Sequence, residues 1–114
     1  MIDFACKKFK IDEVVKCGLS LTRSELETLK FLMNNNGEFS SYDIAEKLRF
    51  DLTTAQRSLK VLRDKGLVKR MQRNLSPGGY VFLYEVKNRK EIKKNFMDIV
   101  HGWVLRVEKE IGSW

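Results

Sequence analysis

The chain has 114 residues, the length of a single domain, and is 43% hydrophobic and 32% charged, proportions that exclude a disordered chain. No apolar run approaches the roughly 18 residues of a membrane span, and the segment from Met1 to Lys10 mixes Asp3 with three lysines and does not read as a secretory leader, so a cytoplasmic protein with no membrane partner is expected. With 22 basic and 15 acidic residues the net charge is +7, which favours an anionic partner, nucleic acid before a membrane surface.

Taken in chain order, Ile2, Phe4, Ala5, Phe9, Ile11, Val14 and Val15 among lysines predict a first helix over 2–17, with Gly18 as its C-cap. Thr22 followed by Glu25 is a capping box for a second helix carrying Leu26, Leu29, Phe31, Leu32 and Met33. Asn34-Asn35-Asn36-Gly37 stops it, because Asn and Gly tolerate turn conformations. A third helix is predicted over 41–48, capped by Ser40 with Asp43 or by Ser41, with Ile44, Ala45 and Leu48 as its inner stripe. Phe50-Asp51-Leu52 then connects to a fourth helix beginning near Thr53, with Gln56 at the box position, and Ala55, Leu59 and Leu62 turned inward.

After Gly66 the period changes to two. Residues 67–71 and 80–86 read as strands, the second aromatic and β-branched, and Ser76-Pro77-Gly78-Gly79 joins them into a hairpin. From Asn88, boxed with Glu91, a last helix runs to about Ile111. Its apolar residues form two stripes, Ile92, Phe96, Ile99 and Trp103 beside Val100, Val104, Val107 and Ile111. That face is wider than one small domain covers, so Phe96, Ile99, Val100, Trp103, Val107 and Ile111 are expected in a symmetric homodimer interface shared with the first helix. Gly102 would mark a close helix approach or a slight break.

Charge is unevenly spread. Residues 51–87 hold eight basic and three acidic groups, so most of the excess lies in one third of the chain. Helix, helix, turn, helix and a basic hairpin is the layout of a winged helix-turn-helix, an α+β and mostly helical fold: an N-terminal helix over 1–17, a core over 18–87 and a C-terminal dimerisation helix over 88–114, all in one domain. In that layout the fourth helix offers Thr53, Thr54, Gln56, Arg57 and Lys60 to a DNA major groove, where Arg pairs with guanine and Gln with adenine. Lys69, Arg70, Arg73 and Asn74 on the hairpin would reach phosphates or a minor groove.

The segments Gly18-Leu19-Ser20, Leu21-Thr22-Arg23-Ser24-Glu25 and Asp43-Ile44-Ala45-Glu46-Lys47-Leu48 carry a family likeness. It continues through Thr53-Thr54-Ala55-Gln56-Arg57-Ser58-Leu59-Lys60-Val61-Leu62 and Lys65-Gly66-Leu67-Val68. Together they resemble the winged-helix domain of archaeal transcriptional regulators of the TrmB-like and MarR-like type. The resemblance spans 18–73 directly and implies a DNA-binding regulator that dimerises through its terminal helices. Larger TrmB-like regulators add a sugar-binding domain, for which 114 residues leave no room, so a sugar effector is not carried over.

Catalytic and metal chemistry find little support. One histidine, His101, and two cysteines make no familiar zinc set, and a nucleophile would have to use His101, which lies in an apolar helical stretch without a motif. No enzyme and no cofactor is expected. On one continuous helix, Cys6 and Cys17 would stand about 16 Å apart, too far for an intrachain disulfide. They are expected to be buried apolar thiols, with a cross-dimer disulfide as the alternative. The reading is therefore a sequence-specific regulator acting as a homodimer on double-stranded DNA. Its rivals are a winged-helix protein-interaction module, which would show an apolar or acidic fourth helix, and a nonspecific architectural DNA binder.

Overall fold

A computed structural model describes residues 2–4, 7–9 and 11–114, the first two stretches as backbone. The chain divides into two compact units, one of residues 22–89 and one of residues 1–21 with 90–114.

The unit of residues 22–89 holds α2 (Arg23–Asn34), α3 (Ser41–Leu48), α4 (Leu52–Asp64), β3 (Val68–Asn74) and β4 (Tyr80–Val86). Two of the expected capping boxes form here. Thr22 Oγ1 accepts from the Glu25 amide at 3.3 Å while Glu25 Oε1 accepts from the Thr22 amide at 3.1 Å. Ser40 and Asp43 exchange the same bonds at 3.2 and 3.0 Å. At the other end of α2 the Arg89 guanidinium donates to the carbonyls of Met33 and Leu32, at 3.0 and 3.3 Å, and so satisfies acceptors the helix cannot.

The start of α4 corrects the sequence reading. Asp51, not Thr53, is the N-cap: its Oδ1 accepts from the Thr54 amide at 3.0 Å and the helix begins at Leu52. An ionised carboxylate is the better acceptor at the positive end of a helix, so Asp51 prevails over the hydroxyl two residues later. Arg49 makes the turn possible by taking a left-handed conformation, φ 58°, as α3 ends, and the Phe50 amide then donates to the Ala45 carbonyl at 2.9 Å.

Ala55, Leu59 and Leu62 of α4 are fully buried with Leu26, Leu29 and Leu32 of α2 and Ile44 of α3, as their spacing predicts. Leu67, Val68 and Val86 bring the base of the hairpin into this core. β3 and β4 pair antiparallel from Val68 opposite Val86 to Asn74 opposite Tyr80. The first strand thus runs three residues beyond the expected end at Met71. A third short partner lies on the other side of β4, where Phe39 and Tyr84 exchange backbone hydrogen bonds of 3.0 and 2.7 Å. Gly79, at φ 83°, closes the hairpin, its carbonyl accepting from Leu75.

The other unit differs most from expectation. In place of a helix over 2–17 there are two short antiparallel strands, β1 (Ile2–Phe4) and β2 (Lys7–Phe9), and then α1 (Ile11–Gly18). Ile2 and Phe4 flank Asp3, a two-residue alternation, and Ile2 stands opposite Phe9 in the register. α1 ends in a Schellman arrangement: the Leu21 amide donates to Lys16, the Ser20 amide to Cys17, and Ser20 holds the left-handed position at φ 56°. Gly18 is therefore not the C-cap. It lets α1 meet α5 (Arg89–Gly112), since a Cβ at position 18 would lie 2.9 Å from the Phe96 ring. Gly102, by contrast, has open space where a Cβ would stand. Cys17 is a free, exposed thiol, against the expectation of burial; Cys6 lies outside the described residues.

Candidate nucleic-acid interface

The helical repeat sorts α4 into two faces. With Ala55, Leu59 and Leu62 inward, Thr53, Gln56, Arg57 and Lys60 are exposed at positions i, i+3, i+4 and i+7, a single stripe along the helix. Neither Arg57 nor Lys60 is ion-paired among the described residues, so their donors are open to an acceptor from outside. Thr54 stands apart from the other four. It is half-buried and its hydroxyl and amide both serve Asp51, whose carboxyl they hold below the ordinary carboxylate range, with a smaller contribution from the Arg57 charge. Thr54 shapes the start of α4 more than it presents a free group.

The hairpin is different. Strand alternation puts Lys69, Met71 and Arg73 on one face and Arg70, Gln72 and Asn74 on the other, so the four expected contact residues do not form one surface. Each cation also has a partner. Lys69 Nζ lies 3.2 Å from Glu85 Oε1 directly across the hairpin. Arg73 Nη2 lies 2.7 Å from Glu38 Oε2. The Arg70 guanidinium sits 4.1 Å above the Phe82 ring, which Tyr80 meets edge-on. Asn74 accepts from Gln72 at 3.4 Å.

Three exposed or charged groups of the unit escaped the sequence reading. Tyr42, 65% exposed, stands on the first turn of α3, and Arg49 is exposed in the turn between α3 and α4. Their positions beside the Ser40 cap and Asp51 were the available signal. Glu38 could be found only through the Phe39–Tyr84 bridge, which sequence spacing does not reveal.

On α5, Ile99, Trp103, Val107 and Ile111 are exposed, Trp103 by half, while Phe96 and Val100 are half-buried. Phe96 and Ile99 lie close to Gly18 of α1. Met97, Val104, Leu105 and Trp114 add further exposed apolar surface. His101 is exposed on the same helix. Among the described residues no cluster of His, Cys, Asp and Glu could hold a metal ion, and no helix is long and apolar enough to cross a membrane.

Residues 15–90 match the family described as the sugar-specific transcriptional regulator TrmB. The chain belongs to this family. The chain is also similar to an uncharacterised protein of Methanocaldococcus jannaschii, 32% identical over 91% of this chain and 78% of its own. A solved structure described as a possible transcriptional regulator from Methanosarcina mazei shares 37% identity and a TM-score of 0.87, covering all of this chain and 96% of the other. At 23% identity and a TM-score of 0.51, a Mycobacterium bovis structure described as a homodimeric winged helix-turn-helix DNA-binding domain shares the fold over 84% of this chain and 78% of its own. The winged helix-turn-helix expected from the sequence is thus the fold of this TrmB-family chain, and the family is one of transcriptional regulators.

Proposed function

We propose that this chain is a homodimeric, sequence-specific regulator acting on double-stranded DNA in the cytoplasm. The observation that carries the reading is the open stripe on α4: Thr53, Gln56, Arg57 and Lys60 on a helix whose opposite face is locked in the core, with both cations free of ion pairs among the described residues. Placed in a major groove, Arg57 and Gln56 read base edges and Thr53 and Lys60 hold phosphates or thymine methyl groups. Lys69, Arg70, Arg73 and Asn74 of the hairpin hold the flanking backbone. One recognition helix spans too few base pairs to select a site, and a two-fold dimer doubles the contacts on half-sites about one helical turn apart. The exposed face around Ile99, Trp103, Val107 and Ile111, with Phe96 and Val100 at its margin, supports dimerisation through α5. Occupancy of the site then blocks or recruits the transcription machinery.

Selection of bound sequences from a random duplex pool tests the reading. Enrichment of a two-fold-symmetric sequence is the expected result. Binding without enrichment would mean an architectural role, and no binding would favour a protein partner.

A further inference from the structure

We propose that Glu38 is a built-in competitor for DNA phosphate at Arg73, a role that rests on the DNA-binding reading above. Phe39, the next residue, is clamped to Tyr84 by two backbone hydrogen bonds, and its ring meets Phe31 edge-on with centroids 5.0 Å apart. The Glu38 carboxylate is thereby carried on a fixed piece of backbone beside β4. Arg73 belongs to β3, on the other side of β4, so its side chain crosses the hairpin to bring Nη2 to 2.7 Å from Glu38 Oε2.

A carboxylate and a phosphate oxygen ask for the same guanidinium donors, so a phosphate reaching the hairpin must displace Glu38 or accept the donors that remain. The pair is open to exchange: the Arg73 side chain is 63% exposed and that of Glu38 29%. Exposed pairs of this kind are weak, so Glu38 moderates the contact and does not abolish it. Lys69 stands in the same relation to Glu85, whereas Arg57 and Lys60 on α4 are in no ion pair among the described residues, Arg57 sensing the Asp51 carboxylate only through its field. Phosphate affinity at the hairpin is held down relative to that of the unpaired cations on α4.

The test is a double-mutant cycle on duplex binding at about 0.15 M salt, since surface ion pairs are screened above that range. Glu38→Gln is expected to tighten binding about two- to five-fold, on a selected duplex and a random one alike, the range set by exposed ion pairs. In an Arg73→Ala background the same substitution should give less than half that gain. Glu38→Ala, taken through the same cycle, should agree in sign and guards against a folding defect peculiar to the amide. Weaker or unchanged binding by Glu38→Gln overturns the proposal, because Glu38 would then position Arg73 or merely accompany it. An undiminished gain without Arg73 also overturns it, since the cause would be net charge alone. A parent that binds no duplex at all overturns the DNA reading itself, and this proposal with it.

Discussion

The two units of this chain stand in opposite relations to solvent. In residues 22–89 the apolar side chains of three helices close on one another, the helix ends are capped, and no described buried side-chain polar atom lacks a partner. In the unit of residues 1–21 and 90–114, a helix of 24 residues buries Ile92 and leaves Met97, Ile99, Trp103, Val104, Leu105, Val107 and Ile111 exposed. The first unit is complete as a single chain. The second carries apolar surface that a single chain leaves exposed, and that difference separates what keeps the protein folded from what is proposed to let it associate.

The comparison can be broken most forcefully at Leu59. It is fully buried, so Leu59→Ala should cost about 2–5 kcal/mol of unfolding free energy in a denaturant titration. A near-neutral result would mean that residues 22–89 are not the stability core. Next in size is Trp103→Glu on α5. A large aromatic at an interface centre often carries more than about 2 kcal/mol, so this substitution should weaken a micromolar dimer by more than about 30-fold while helical content is kept. Sedimentation reads the change. A parent that is a folded monomer and still binds one palindromic site tightly would remove α5 from site selection.

Arg57→Ala sharpens the contrast from the other side, because it should leave folding and association alone. It is expected to weaken binding to a selected duplex by about 1–3 kcal/mol and relax preference at one base position. Equal affinity of mutant and parent would take α4 out of the groove. The smallest effect belongs to Asp51. Hydrogen bonds from Thr54 hold its carboxyl below the ordinary range, so the folded state favours the charged form. Its contribution is present above the unfolded-state pKa and disappears as pH falls through the lower folded-state value. Acid titration of stability should therefore show parent and Asp51→Asn differing at neutral pH and converging in acid. A difference that persists at low pH would mean the cap does not depend on charge.

How far the sequence foretold all this depends on the range of the interactions. The boxes at Thr22 and Ser40, the bounds of α3 and β4, and the buried stripe of α4 are local or periodic, and each was legible. β1 and β2 were not, because three residues per strand are too few for a two-residue period to stand out from a helical one. Asp51 was missed because Thr53 offered a rival cap two residues away. The partners of the wing cations were harder still. The pairing of Lys69 with Glu85 needs the strand register, and that of Arg73 with Glu38 needs a third strand the spacing does not announce. The stripe on α4 was readable in advance, apart from Thr54, whose donors the cap consumes.

The bare backbone at Gly18 divides α5 along its length. Phe96 and Ile99 lie close enough to Gly18 that a Cβ there would touch both, so the half-buried Phe96 packs against the chain's own α1 while Ile99 lies at the edge of that contact. From Trp103 to Ile111 the side chains are exposed. Amide hydrogen exchange should therefore run on two clocks in one helix. Around Phe96 protection should be the same at every protein concentration, and from Trp103 onward it should lengthen as the protein is concentrated. Assembly would then be recorded, residue by residue, as a lifetime.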